Sequence, residues 1–260
     1  MWSEKLHVGV PLTVKYLKVK PMKEDKTEGI KGAVKLTSRL LVKNALNMPE
    51  RPFVDPNSPW LDTRLTKEAM DHLWNNINGK QTDARKSLVG NISKSEYIED
   101  KDNWFYENVL KELTEHIFYK DWNNYYNVHV TKVIPPTVFE LKELWVNYQK
   151  QHEFNPPHTH QGGHGFSFVV FMKIPTHWKE QHALPWLKDV KHPAASDFHF
   201  LLEHGMGRIQ NINIPLCPED EGRILFFPAW LFHQVFPFYE CEEERITISG
   251  NIFEKINENF

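Results

Sequence analysis

Apolar residues at helical spacing mark the first half of the chain. Over residues 62–78 they recur every three or four positions, which predicts a helix with Thr66 as its N-terminal cap. A second helix is predicted over residues 104–119, where apolar side chains fall on one face. The polar segment 80–103 lacks this periodicity, so it is either a disordered connection or a functional lid.

Patterns typical of strands replace the helical spacing from about residue 125 onward. Alternating or continuous apolar runs, separated by turn residues, recur through 125–134, 137–151, 165–175 and 208–214. Strands that follow helices in this way are typical of an antiparallel sandwich or barrel with helices packed on one sheet. The predicted fold class is therefore mainly β (α+β), of the jelly-roll kind, and not a doubly wound sheet.

Length and composition set the domain organisation and the expected surroundings. The 260 residues suit a single domain over 61–260, with helices in 61–120 and a β core over about 125–255, preceded by an extension over 1–60. A formal net charge of −3 indicates neither a nucleic-acid partner nor a membrane surface. Two cysteines suit a reducing cytoplasm, and the charged N-terminal segment predicts neither a signal peptide nor a membrane span.

Histidines provide the candidate chemistry. His158 and His160 stand two residues apart just before a buried strand, and residues i and i+2 of a strand point to one face. His233, far downstream, begins another apolar segment and is the candidate third ligand. Three neutral imidazoles suit Fe(II), Zn(II), Cu(II) or Ni(II), and the ligand type alone does not choose among them.

A cationic residue follows the third histidine. In the segment 245–251, read RITISGN, Arg245 and Thr247 share one polar face while isoleucines occupy the other. A guanidinium that points inward matches a carboxylate in a two-point contact. An ion pair with the preceding acidic run, Glu242 to Glu244, is the alternative. Aromatic side chains nearby are either ordinary core residues, the commoner case, or walls of a pocket: Trp230, Phe232, Phe236 and Phe238.

The order of these motifs resembles a known enzyme family. H-x-H, a strand, GRILFFPAWLFHQVFP and R-x-T occur in that order between residues 145 and 253, with a looser match over 65–98. This arrangement resembles the Fe(II)- and 2-oxoglutarate-dependent oxygenases, and most closely an oxygenase group common in marine bacteriophages. The resemblance implies a double-stranded β-helix fold and a hydroxylase that releases succinate and CO2.

The resemblance also implies roles for individual residues. His158 matches the first iron ligand, His233 the distal histidine, Arg245 the residue that pairs with the distal carboxylate of 2-oxoglutarate, and Thr247 the hydroxyl that assists the arginine. The departure is His160, because the family usually has Asp or Glu there. The second ligand is therefore His160 itself or another carboxylate such as Asp197, or the site uses only two protein ligands. The implied co-substrates are 2-oxoglutarate and O2, and the implied location is a cytoplasm, that of the host if the chain is phage-encoded.

Two other functions are compatible with the same residues. A cupin-like metal enzyme that does not use 2-oxoglutarate would take His158, His160, His164 and His233 as ligands and leave Arg245 structural. A jelly-roll module without enzymatic activity would carry the histidines incidentally. The polar face of RITISGN disfavours this second alternative, since a purely structural sandwich would place apolar residues there.

Overall fold

The structure, a computed structural model, describes residues 59–114, 138–160, 165–203 and 206–255. The described strands are β1 Leu61–Arg64, β2 Thr82–Asp83, β3 Ser95–Tyr97, β4 Val138–Gln149, β5 Asn155–His158, β6 Gly165–Lys173, β7 Phe198–Glu203, β8 Ile209–Ile214, β9 Arg223–Pro228, β10 Phe232–Val235 and β11 Arg245–Lys255. The described α-helices are α1 Lys67–Ile77 and α2 Trp178–His182, with short 3-10 turns at Lys101–Asn103, Pro185–Leu187 and Pro218–Asp220 and a π turn at Tyr106–Leu110.

Two antiparallel sheets form the body of the fold. The larger has the strand order β1-β9-β6-β11-β4-β3-β2, and the smaller has the order β5-β10-β7-β8. The inner faces of β6 and β9 pack against those of β7 and β8 in one apolar cluster, which includes Phe171, Phe198, Phe200 and Phe227. Strands β4 to β11 thus make an eight-stranded jelly roll, and the predicted double-stranded β-helix is confirmed.

Helix α1 begins later than its apolar spacing predicts. Residues 61–64 form β1, which pairs with β9, and the helix begins at Lys67. The predicted cap is present, because the side-chain oxygen of Thr66 accepts a hydrogen bond from the Ala69 amide at 3.4 Å. Ala69 and Leu73 are fully buried in the cluster that covers the outer face of the larger sheet.

The second predicted helix is described as far as residue 114. It starts at residue 104, contains the π turn Tyr106–Leu110, and receives its N-terminal cap from the Asp100 carboxylate, which accepts from the Phe105 and Tyr106 amides. The Phe105 ring lies 5.8 Å from that of Phe168 on β6. Both helical segments therefore pack on the larger sheet, as predicted.

The remaining predictions fall partly outside the described residues. The extension 1–58, the expected strand at 125–134 and His164 are not among them. The segment 80–103 contributes β2 and β3, which extend the larger sheet beyond β4. Within the described residues, no helix has the length and apolar character needed to cross a bilayer.

Candidate metal centre

Three histidine side chains converge at one end of the smaller sheet. His158 ends β5 and stands opposite His233 of β10 in the strand register, with ring centroids 4.2 Å apart. His160 Nε2 lies 3.3 Å from His233 Nε2, and one donor atom of each of the three residues lies within 4.8 Å of the others. The sequence-predicted residues are therefore brought together, although the sequence separates them by up to 75 positions, from His158 to His233.

The local geometry differs from the one expected for H-x-H. Strand β5 ends at His158, so His158 and His160 do not share one face of a continuous strand. His160 instead follows the strand, and its amide donates to the Ala229 carbonyl at 2.9 Å in the turn between β9 and β10. This bond holds the His160 imidazole beside His233.

Backbone hydrogen bonds set the orientation of two of the rings. The Nδ1–H of His158 donates to the Pro156 carbonyl at 2.7 Å, and the Nδ1–H of His233 donates to the Leu231 carbonyl at 2.9 Å. With Nδ1 protonated, Nε2 of each neutral ring presents its lone pair to the centre of the cluster. Such bonds to the second ring nitrogen are the usual support of metal-bound histidine.

Burial keeps the cluster neutral. It lowers the pKa of His160 to about 4, helped by the nearby His158. Burial likewise lowers the pKa of His158 and, together with the other two histidines, that of His233. At pH 7 the three rings are therefore available as neutral nitrogen donors, and this donor set fits a divalent transition metal such as Fe(II).

Asp197, the alternative carboxylate ligand, lies elsewhere. It is fully buried, and its Oδ1 is 2.8 Å from His182 Nε2, while Oδ2 is 3.6 Å from His199 Nε2. It does not belong to the His158, His160 and His233 group. Its carboxylate instead supplies a negative charge close to Arg245, where it acts to raise the pKa of that guanidinium.

A cavity of about 370 Å³ opens beside the histidine cluster. Its floor is the inner face of β4 and β11, where mostly polar residues stand opposite one another in cross-strand rows. The rows are Arg245 with Gln149, Thr247 with Asn147, Ser249 with Trp145, and Asn251 with Glu143. The Trp145 ring is 5.9 Å from that of His160, so the histidine cluster lies at the third of these rows.

Arg245 forms the innermost row. It is completely buried, and its Nη2 donates to the Ser196 carbonyl at 2.9 Å and to the Ser196 hydroxyl. Burial lowers its pKa to about 10, against the opposing charge of Asp197, so it stays positive at pH 7. Its Nε–H lines up with no acceptor among the described residues. An orphaned buried donor on a cation suits a carboxylate group in the cavity.

The alternative of an ion pair between Arg245 and the preceding acidic run does not appear among the described residues. Glu243 pairs instead with Lys173 at 2.8 Å, and Glu242 accepts a bond from Gln151. The predicted alternation of 245–251 is present, since Arg245 and Thr247 line the cavity while Ile248 packs under the helices.

None of the four candidate wall residues, Trp230, Phe232, Phe236 and Phe238, is among those that line this cavity. Trp230 and Phe232 are 47% and 51% exposed, and Phe238 packs against the Arg245 guanidinium at 5.2 Å instead of lining the cavity. The aromatic lining comes from other strands and includes Trp145, Phe171, Phe198 and Phe227. The segment predicted as a connection or lid does contribute, because Ser87, Leu88, Val89 and Gly90 line one side.

Comparisons with known proteins give one family match and a set of solved structures of low sequence identity. Residues 143–251 match the family model described as "Putative 2OG-Fe(II) oxygenase". The sequence matches no curated protein. Among solved structures, a prolyl-4-hydroxylase of Pseudomonas putida is 12% identical, with a TM-score of 0.42 and coverage of 76% of this chain and 94% of that chain.

Two further solved structures are similar to the same extent. The non-haem α-ketoglutarate-dependent epimerase SnoN of nogalamycin biosynthesis is 11% identical, with a TM-score of 0.42 and coverage of 84% of this chain and 81% of that chain. The collagen prolyl hydroxylase of Paramecium bursaria Chlorella virus-1 is 12% identical, with a TM-score of 0.40 and coverage of 76% and 96%. The closer resemblance to a bacteriophage group stays a prediction.

Proposed function

We propose that this chain, a 2OG-Fe(II) oxygenase by the match of its residues 143–251, holds Fe(II) with His158, His160 and His233 and binds 2-oxoglutarate against Arg245. One observation carries the proposal. Neutral imidazole nitrogens converge at the side of a cavity whose innermost row holds a buried guanidinium with an Nε–H that has no partner among the described residues. A metal and a carboxylate group thus each find suitable partners in the same cavity.

The family chemistry defines what the bound groups supply. Bound at these residues, iron and 2-oxoglutarate would supply, with O2, the oxidation of a C–H bond of the prime substrate to C–OH, with release of succinate and CO2. The family match favours this function over a cupin-like enzyme without 2-oxoglutarate and over a structural module.

The protein's own residues position the co-substrate. Arg245 meets its distal carboxylate, and the Thr247 hydroxyl, one row nearer the histidines, is placed to assist. Apolar side chains complete the lining, with Val169 and Phe171 beside these rows on β6, and Phe198 and Val235 on the smaller sheet. Such a lining suits the methylene groups of 2-oxoglutarate and excludes water from the space between the guanidinium and the histidines.

The domain and compartment assignments belong to the same proposal. Residues 61–260 form the oxygenase domain, and residues 1–60 are an extension to it. The enzyme acts in a cytoplasm, that of the host if the chain is phage-encoded, which is consistent with the free thiols of Cys217 and Cys241.

Anaerobic titration of the Fe(II)-loaded protein with 2-oxoglutarate tests the proposal. We expect a weak visible metal-to-ligand charge-transfer band in the wild type that is lost or greatly weakened in Arg245→Ala and Arg245→Lys. The lysine variant keeps a buried cation and so separates loss of the two-point contact from loss of folding. Arg208→Ala, at an exposed arginine, is the control and should keep the band.

Two results would contradict the proposal. A wild-type protein with stoichiometric iron and no band would favour the cupin-like alternative. A band of wild-type intensity, with wild-type affinity for 2-oxoglutarate, in both Arg245 variants would show that the guanidinium does not bind the co-substrate.

A further inference from the structure

The two ends of the cavity floor, along β4 and β11, carry opposite charges. The cation Arg245 occupies the innermost row, and the carboxylate Glu143 occupies the row at the opposite end. Gln149 and Glu143 are six positions apart on one strand, which is a distance of roughly 20 Å between the two rows. The histidine cluster lies against Trp145, one row inward of Glu143. A molecule bound on the outer side of the metal therefore meets Glu143.

Buried residues hold the Glu143 carboxylate in place. The Ser167 hydroxyl donates to Asn251 Oδ1 at 2.9 Å, which turns the amide nitrogen of Asn251 outward. That nitrogen donates to Glu143 Oε2 at 2.7 Å. Ser167 and Asn251 are 1% and 8% exposed, so an exposed carboxylate is anchored by a chain of two buried polar side chains.

Glu143 has no cationic partner among the described residues. The neighbouring Lys142 is paired with Glu140 at 3.5 Å, and its ammonium lies over the Phe253 ring. Besides Phe253, which Lys142 covers, the aromatic rings of Tyr97 and Trp145 line the same part of the cavity. A carboxylate beside aromatic rings is the composition that recognises ammonium and guanidinium groups, through charge-assisted hydrogen bonds and cation–π contacts.

We propose that the outer end of the cavity is a subsite for a positively charged group of the prime substrate, an ammonium or a guanidinium, with Glu143 as its counter-ion. This proposal rests on the proposed function, because it takes the space between Trp145 and Glu143 as the position of the prime substrate. The opposite charges at the two ends of the cavity floor direct 2-oxoglutarate and the prime substrate to different ends. The anionic co-substrate is attracted to Arg245 and repelled by Glu143. A cationic substrate is attracted to Glu143 and repelled by Arg245.

Direct binding of matched probes to the metal-free full-length chain tests the subsite. The cationic probes are N-acetyl-arginine methylamide and N-acetyl-lysine methylamide. Their neutral counterparts are the citrulline and the Nζ-acetyl-lysine analogues. Binding is followed by calorimetry and by the tryptophan fluorescence that Trp145 contributes. The test variant is Glu143→Gln. The control is Glu203→Gln, which changes the net charge by the same amount but lies on the smaller sheet.

In the wild type and in Glu203→Gln we expect at least one cationic probe to bind about fivefold more tightly than its neutral counterpart, the ratio expected of a partly exposed ion pair. In Glu143→Gln the ratio should fall to about one. Equal binding of charged and neutral probes in the wild type, binding of neither, or a ratio that survives Glu143→Gln would overturn the proposal. Because these titrations need neither iron nor 2-oxoglutarate, their outcome is separable from that of the charge-transfer titration.

Discussion

The guanidinium of Arg245 is fixed by a residue with an unusual backbone conformation. Arg245 Nη2 donates to the carbonyl oxygen of Ser196 at 2.9 Å and to its hydroxyl, and both residues are completely buried. Ser196 has a φ of 73°, in the left-handed region that favours glycine. Its hydroxyl also lies 3.1 Å from that of Thr176. The fold therefore maintains a strained serine at the point where its hydroxyl can orient the proposed co-substrate anchor.

Substitution of Ser196 should separate stability from co-substrate affinity. Ser196→Gly and Ser196→Ala both remove the hydroxyl, so each should weaken 2-oxoglutarate binding about tenfold, the effect of one hydrogen bond to a charged group. Only glycine relieves the left-handed strain, which costs an alanine roughly 1 kcal/mol or more. We therefore expect a higher melting temperature for Ser196→Gly than for Ser196→Ala at equal loss of affinity.

Calorimetric titration of the two variants and thermal denaturation check this expectation. Ser196→Thr, which keeps the hydroxyl, should retain most of the affinity if it folds. Wild-type affinity in both Ser196→Gly and Ser196→Ala would show that the hydroxyl has no part in orienting Arg245.

His160 should contribute to metal affinity as a third donor. We expect His160→Ala to weaken Fe(II) or Co(II) binding at least tenfold, because only the two imidazoles of His158 and His233 remain. His160→Asp should restore much of the affinity, since a carboxylate is the ligand that the family usually has at this position. Anaerobic competition with a chromophoric chelator measures the dissociation constants.

A surface histidine provides the control for this measurement. His192→Ala, at an exposed position, should bind metal as the wild type does. Unchanged metal affinity in His160→Ala would remove His160 from the proposed ligand set and leave two protein ligands.

Acidification should destabilise the metal-free protein through the buried histidines. The pKa of His160 is about 4 in the folded protein, below the ordinary histidine value of 6.5 that the unfolded chain retains. Above pH 6.5 His160 is neutral in both the folded and the unfolded state, so it does not contribute to the pH dependence of stability. Below pH 6.5 the unfolded state takes up the proton first, so stability falls as the pH decreases to about 4. Below about pH 4 the folded state is protonated as well.

Thermal denaturation of the chelator-treated protein between about pH 7.5 and about pH 4.5 measures this slope. In His160→Gln the melting temperature should fall less steeply with pH than in the wild type, because the variant lacks the proton uptake of His160 and also the charge that helps to lower the pKa of His233. Parallel curves for the two proteins would contradict the assigned pKa shift.

The sequence predicted those parts of the site that a local pattern encodes. Alternation in 245–251 indicated that Arg245 and Thr247 share a polar face, and the structure places both on the cavity floor. The same alternation is present in β4, where Glu143, Asn147 and Gln149 point inward. The alternation in β4 therefore indicates three further cavity residues that belong to neither the histidine motif nor the arginine motif.

Other features depend on contacts between distant segments. The apolar spacing predicts too early a start for α1 because Asp62 and Thr63 belong to β1, whose partner β9 lies about 160 positions away and leaves no local trace. Ser196 reaches Arg245 from a turn before β7, and its left-handed backbone is held by the Pro237 carbonyl, which accepts from the Ser196 amide at 2.9 Å. No residue pattern in a single sequence indicates such a conformation.

Gly250 should be intolerant of any side chain, although it lies in a regular strand. It stands in β11 between Ser249 and Asn251, on the face that packs under the helices. A Cβ atom there would lie 2.7 Å from the Glu143 carbonyl oxygen and 2.7 Å from the Phe168 ring, closer than real Cβ contacts. Gly250→Ala should therefore lower the free energy of unfolding by roughly 1–3 kcal/mol, as expected for overpacking of a core.

Chemical denaturation of Gly250→Ala and of the neighbouring Ser249→Ala checks this prediction. Ser249→Ala adds no atom and should remain within about 1 kcal/mol of the wild type. Because the backbone of Glu143 is one of the two obstructing groups, Gly250→Ala should also displace the Glu143 carboxylate and reduce the preference for cationic probes. An unchanged denaturation midpoint in Gly250→Ala would mean that β4 and Phe168 move aside without loss of stability. That result would contradict the close packing of the strands that form the cavity floor.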